Sequence, residues 1–396
     1  MNITRTLNDS CSVCGNTDLP IVMDLPRFPI TGVYVAKREP ERFPDMDQAL
    51  LFCRECSHAQ LQYVIDPNYL YDKTYTHRSS ASPIATSGND FFIGFLNTVV
   101  GGKTFERILE IGCNNLYLLK KIKDRGHRLL GVDPIWAGND QKVDGNISVA
   151  GKFIEDVDIQ GELGGRPDLI LAIHTFEHVH RPKEQLQKVV DAAAPGAVIM
   201  IEVPCFDSLL YAGRFDQVFH QHLQYFSLSS MLRMIQELGC EYLSHAFNYS
   251  YWRGTLLVAF KKGDVSGAGA AVPAKRYTGD MVRQRYGLFQ RQLAVFTEGL
   301  ARTEGVLYGF GAAQMVPTLA YHMQSDLSFL QCILDDNPDR HDLMYPNLPV
   351  RIKKPKEDMD LSGASVVITA LDSMRPILGR LIGARAKEIL VPVQSF

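Results

Sequence analysis

From about residue 105 onward, short and almost continuous apolar runs alternate with amphipathic stretches. Arg107–Ile111, His127–Asp133, Asp168–His174 and Ala197–Val203 read as strands, with Leu116–Arg125 and Lys183–Val190 as helices among them. Strands that are apolar on both faces and joined by helices predict a parallel sheet covered on both sides. Glu241–Tyr249 and Gly254–Lys261 read as a strand pair that closes this sheet. A polar, small-residue stretch, Lys262–Pro273, reads as a linker, and a helical region of mixed charge runs from it to about Arg302. Val306–Ala313, Phe329–Asp336, Ser365–Ala370 and Glu388–Val393 then predict a second, smaller Rossmann-like unit. Residues 1 to about 75 lack the alternation and read as a turn-rich lobe. The expected division is therefore α/β throughout: a small lobe over 1–75, a main domain over 76–272 and a second domain over 273–396.

Composition narrows the chemistry. The 396 residues are 46% hydrophobic and 21% charged, enough to bury sizeable cores. A formal charge of −3 supplies no basic field for a phosphate backbone, which disfavours nucleic acid and favours a small-molecule substrate. No apolar run resembles a signal peptide or reaches the roughly 18 residues of a membrane span, so a cytoplasmic protein with no membrane partner is expected. Cys113, Cys205, Cys240 and Cys332 are scattered among apolar neighbours, whereas Cys11, Cys14, Cys53 and Cys56 form two C-x-x-C pairs. Two such pairs match the knuckles of a structural zinc site, whose four thiolates leave no open position. His58 lies two residues beyond Cys56, but four cysteines already suffice. Zinc would hold together a lobe with too little core of its own.

The segment Leu109–Asn114 (LEIGCN) is a strand running into a glycine turn and then a helix. There the backbone at Gly112 can approach a ligand closely, with Glu110 and Asn114 on either side. Asp133, 21 residues after Gly112, ends the next strand, where a carboxylate can accept both ribose hydroxyls of an adenosine. The alternative is that Asp133 caps a helix start before Pro134 and that Glu110 caps the turn. With a single glycine and no G-x-G-x-x-G, a dinucleotide pyrophosphate fits poorly. S-adenosylmethionine, which has no phosphate, fits well. The runs EIGC, GVDP and DLILAIHTFEH, in this order, are typical of class I methyltransferases; His174 is a candidate cofactor contact, and both it and His178 could instead be structural histidines at the strand end.

The whole layout resembles the sugar C-methyltransferases that act on nucleotide-linked 4-keto-deoxysugars. The resemblance rests on the cysteine pairs, the central methyltransferase pattern, and Tyr75–Ser82 (YTHRSSAS), which is similar to the family's Y-x-Y-x-S-S-x-S stretch. It also rests on Gly309–Ala313 and Leu334–Asp339, and above all on Phe215–Ser227 (FDQVFHQHLQYFS), which is similar to F-D-x-I-Y-x-E-H-x-x-x-F-S. His222 falls on the motif histidine and His178 on a family histidine in the loop after the third strand. Phe219 replaces the motif tyrosine, Gln221 replaces the glutamate, and His220 is additional. Asn114-Asn115-Leu116 stands where the family has N-D-G, and Met315 where it often has a lysine.

The resemblance implies carbon methylation: a base removes a proton beside a ketone, and the enolate attacks the sulfonium methyl. On that reading His222 is the base, a role suited to an imidazole near neutral pH. His178 and His220 would stabilise the enolate oxygen, and Gln221 could donate where a glutamate would accept. Methylation of an oxygen or nitrogen on a small molecule is an alternative. So is a non-catalytic protein that binds the cofactor or a nucleotide sugar through a degenerate site. A hydrolase metal centre among the histidines is disfavoured by the lack of H-E-x-x-H. The three-lobe build favours a monomer.

Overall fold

The computed structural model describes residues 3–70, 83–139, 142–250, 254–263, 276–356 and 358–393. The serine-rich stretch Tyr75–Ser82 and most of the Lys262–Pro273 linker lie outside the described residues. The main sheet has eight strands, ordered Cys240–Asn248, Thr255–Lys262, Val198–Pro204, Leu169–Ile173, Phe105–Ile111, Gly126–Val132, Ile147–Ala150 and Lys142–Asp144. Its centre is parallel, and Thr255–Lys262 enters antiparallel beside Val198–Pro204, as the strand pair read from the sequence requires. This is the class I methyltransferase arrangement, with the order reversing at Phe105–Ile111. A switch point at the carboxyl ends of the strands is where such sheets bind ligands.

Both faces of the sheet are covered. Helix Pro83–Val100 closes one over Phe92, Leu96, Ile108 and Leu257. Helices Pro182–Ala192 and Leu228–Glu237 close the other over Leu109, Ile170 and Ile199. Ser227 caps the second of these helices reciprocally with Ser230, which fixes where the chain turns away from the site.

The N-terminal lobe is more regular than its turn-rich sequence implies. Ile21–Phe28, Met46–Phe52 and Ala59–Leu61 form an antiparallel sheet, and its fourth strand, Gln224–Tyr225, comes from the middle of the chain. The bulged register between the first two strands, and a third strand of three residues, blur the period-two pattern that would have revealed it.

The C-terminal unit is a five-stranded parallel sheet with Val306–Phe310 at its centre. Helix Gly279–Leu300 precedes it, capped by Thr278, and buries Val282, Tyr286, Phe289 and Leu293 along one stripe. That stripe packs in a single apolar core with Val22 and Leu50 of the first lobe and Leu319 and Ile333 of the last. The segments are further tied by Arg214, which is buried and donates through Nε and Nη2 to the two Asp216 carboxylate oxygens, both at 2.8 Å. Its Nη1 reaches Asp372 of the C-terminal unit at 2.9 Å.

Candidate active site

The four cysteines converge as the spacing predicts. Cys11 Sγ lies 3.6 Å from Cys56 Sγ, and Cys14 Sγ 3.5 Å from Cys53 Sγ. Thiolates around a tetrahedral zinc, with bonds of about 2.3 Å, stand roughly 3.8 Å apart, so the donor set fits the ion. Gly15 and Ser57, with φ of 75° and 59°, make the left-handed turns that let each knuckle fold back. His58 is not a fifth ligand: its Nε2 lies 2.9 Å from Gln224 Oε1 and its Nδ1 3.4 Å from Ser230 Oγ.

Gln224 joins the metal lobe to the loop that follows Leu169–Ile173. Its Oε1 accepts from Ser12 Oγ at 2.7 Å, and its Nε2 donates to the carbonyls of Val179 and His180 at 3.0 and 3.1 Å. The sequence reading missed it because its role is set by partners about 170 and 210 residues away.

At the sheet's switch point Gly112 adopts φ 73°, and a Cβ there would lie 2.0 Å from Thr175 Oγ1. Thr175 is fixed in turn, its Oγ1 lying 2.9 Å from the Ile111 carbonyl and 3.1 Å from that of Ile173. Asp133 accepts from the backbone N–H of Asn114 at 2.8 Å and of Ile135 at 3.0 Å, and so caps the turn Pro134–Trp136 while clamping the glycine turn. A carboxylate can accept about four hydrogen bonds, so the cap and a ribose contact are compatible. The Trp136 indole N–H donates to the Asn114 carbonyl at 2.7 Å, which secures the same turn from the other side. Glu110 is buried, and its Oε2 has no hydrogen-bond partner among the described residues. Burial first, and the Asp133 charge second, push its carboxyl well above the usual range. A close-approach glycine, a carboxylate at the second strand end and an unsatisfied buried carboxyl fit an adenosyl cofactor with a cationic centre.

The loop after Leu169–Ile173 carries the remaining groups. His174 leaves the strand with φ 49°, and its Nδ1 lies 3.0 Å from Glu177 Oε1. Burial opposes its proton, but the Glu177 hydrogen bond and the charges of Glu177 and Glu202 prevail and raise its pKa. Glu202, at the end of the neighbouring strand, accepts from Thr255 Oγ1 at 2.5 Å, and burial raises its pKa too. His178 donates through Nδ1 to the Gln221 carbonyl at 2.8 Å, which turns Nε2 toward Glu177 Oε1, 3.8 Å away. Its ring meets that of His222 edge-on at 4.9 Å, and His222 packs on Phe219 at 4.1 Å. Burial, reinforced by the neighbouring His178 and His174, holds His222 well below the ordinary pKa, so the ring is neutral.

Two expected members stand apart from this pair. His220 is fully buried, with Nε2 3.2 Å from the Phe28 carbonyl and Nδ1 3.4 Å from Gln48. The Gln221 amide is used at both ends by Thr31, accepting its hydroxyl at 2.8 Å and donating to its carbonyl at 2.9 Å. Both side chains point to the N-terminal lobe from the middle of a turn that the His222 N–H closes on the Phe219 carbonyl at 3.1 Å. Glu177 and Glu202 were not foreseen. An acid inside an otherwise apolar run, as in VIMIEVP and next to His178, is the signal that would have found them.

This is a class I methyltransferase fold with an N-terminal zinc lobe, and its cofactor is S-adenosylmethionine. Residues 89–245 match the methyltransferase domain family, and residues 11–71 match a zinc binding domain family. Among named proteins the chain is similar to the C-methyltransferase NovU of Streptomyces niveus, with 26% identity over 239 residues. That match spans 58% of this chain and 56% of the relative, little more than half its length. Among solved structures, the N-methyltransferase NodS of Bradyrhizobium japonicum overlays 47% of this chain and 90% of its own at 15% identity, with a TM-score of 0.36. The plantazolicin methyltransferase BpumL overlays 46% of this chain and 87% of its own, also at 15% identity, with a TM-score of 0.37.

Proposed function

We propose that this protein is an S-adenosylmethionine-dependent C-methyltransferase acting on a nucleotide-linked keto-deoxysugar. The observation that carries the reading is that one loop, Thr175–His178, touches the cofactor turn at Gly112 and presents His178 to His222 at its other end. The NovU likeness and the match of Phe215–Ser227 to the sugar C-methyltransferase motif support carbon as the methylated atom.

When bound, the cofactor would supply a sulfonium methyl, and Gly112 and Asp133 are among the residues that would hold it. His222, kept neutral by burial, accepts the proton released beside the acceptor ketone. His178, held in one orientation by the Gln221 carbonyl, stabilises the enolate oxygen. Gln221 and His220 position this segment against the N-terminal lobe, through Thr31 and Phe28. The test supplies the protein with a methyl-labelled cofactor and a nucleotide-linked 4-keto-deoxysugar. Label that stays with the sugar carbon skeleton through acid hydrolysis is expected. Label released as methanol, or found on oxygen or nitrogen, would refute carbon methylation. Binding of adenosylhomocysteine without turnover on any keto sugar would replace the reading with that of a binding protein.

A further inference from the structure

We infer that Glu177, His178 and His222 form a second metal site, which holds a divalent first-row transition ion beside the cofactor turn. One ligand atom from each lies within 4.8 Å of the other two. Two histidines and one carboxylate are the donor set that binds zinc or ferrous iron while leaving positions open for substrate oxygen.

The surrounding bonds are those of a ligand set. His178 spends Nδ1–H on the Gln221 carbonyl at 2.8 Å, the outer contact that orients a metal-binding imidazole and presents Nε2 to the ion. Glu177 is fully buried; its Oε1 is held by His174 Nδ1 at 3.0 Å, and its Oε2 has no hydrogen-bond partner among the described residues. A buried carboxylate oxygen without a donor is costly, and a cation satisfies it. Nitrogen and oxygen ligands at about 2.0 to 2.2 Å from one ion stand roughly 3 Å apart, so the side chains need close by no more than about 2 Å. The backbone beneath them is pinned: the Leu223 N–H donates to the Glu177 carbonyl at 2.7 Å, and Gln224 holds Val179 and His180. The four-cysteine site has a full set of four protein ligands, whereas this one supplies three and would leave a position for another donor.

The inference rests on the proposed function only in placing the acceptor there. With an ion bound, His222 would be occupied as a ligand, so the base role proposed above belongs to the ion-free protein. The full-length, zinc-containing protein, dialysed against a mild chelator, is titrated with cobalt(II) and followed by visible absorption and metal analysis. One further equivalent is expected, with weak nitrogen/oxygen ligand-field bands and no thiolate charge-transfer band. Cobalt affinity should fall more than about tenfold in both Glu177→Gln and His222→Ala. Adenosylhomocysteine binding, measured in parallel, reports that each variant is folded. Cobalt that enters only with a thiolate signature, or binds equally to wild type and both variants, overturns the metal site. Absence of adenosylhomocysteine binding by the wild type would instead refute the methyltransferase reading, whatever the cobalt result.

Discussion

The glycine turn can be tested by a single methyl group. In Gly112→Ala the new Cβ starts 2.0 Å from Thr175 Oγ1 and 3.0 Å from its Cγ2, at a φ of 73°. The left-handed conformation alone costs a side-chain-bearing residue about 1–2 kcal/mol. Moving the Thr175 hydroxyl off the Ile111 and Ile173 carbonyls forfeits a half-buried hydrogen bond, about 1 kcal/mol more. The total of about 2–3 kcal/mol, opposing the turn geometry the cofactor needs, corresponds to a roughly 30- to 150-fold weaker affinity. Calorimetric titration with adenosylhomocysteine measures it directly. Adding Thr175→Ala removes Oγ1 and Cγ2 and leaves Cβ, 3.1 Å away, as the nearest remaining threonine atom. The double variant should recover the steric part of the loss and keep the conformational part, about tenfold. If Gly112→Ala binds within about threefold of wild type, or the second substitution restores nothing, the close-approach argument fails.

Other features can be tested in the same way. Arg214→Met leaves Asp216, 1% exposed, without its cation, and should lower the unfolding free energy in urea by about 3–5 kcal/mol. A loss below about 1 kcal/mol would mean that water reaches the pair. His322 lies among Phe28, Tyr286, Phe289 and Tyr321, and burial depresses its pKa from the ordinary 6.5 to about 3. The unfolded chain takes up that proton first as pH falls. The stability is therefore complete above pH ~6.5 and is lost toward pH ~3, by up to about 1.4 kcal/mol per pH unit. His322→Phe should flatten the acid slope of urea midpoints by that amount, and an unchanged slope would refute the assignment. Cys53→Ser should release zinc and speed amide hydrogen exchange at Gln224 and Tyr225, which pair with the zinc lobe. Unaltered exchange there after zinc loss would show the two to be independent.

The parallel sheet was legible because Leu169–Ile173 and Val198–Pro204 are apolar on both faces, and that pattern admits few other folds. The zinc ligands were legible because both members of each pair lie within one tight turn. The lobe's sheet was not, since one of its four strands is supplied from Gln224–Tyr225, and no local pattern encodes a partner so distant. At the cofactor turn, Asn114-Asn115-Leu116 departs from the family's N-D-G, yet Leu116 keeps a left-handed φ of 66°. Its side chain is buried and lies where a Cβ on Gly131 would meet it at 2.8 Å, so the strain of about 1–2 kcal/mol is offset by packing of about 1.5–3 kcal/mol. The missing glycine is thus matched by the room that Gly131 leaves on the next strand, a compensation visible only in three dimensions. The segment Phe215–Ser227 reaches the loop after the third strand, but the turn at His220 and Gln221 sends those side chains toward Phe28 and Thr31, while His222 meets His178.

The strand Gln224–Tyr225 also imposes an order on how the chain matures. Cys11 through Cys56 leave the ribosome early and can gather zinc, but the edge of Ala59–Leu61 stays bare until residue 225 has been made. Through that interval the lobe exposes a row of unpaired backbone groups beside a loaded metal, a surface open to pairing with other chains. The segment that covers it is the one that brings His222 to His178. Covering the edge of the zinc lobe and bringing His222 to His178 are therefore one event, so nascent chains that stall before it can hold metal without that histidine pair.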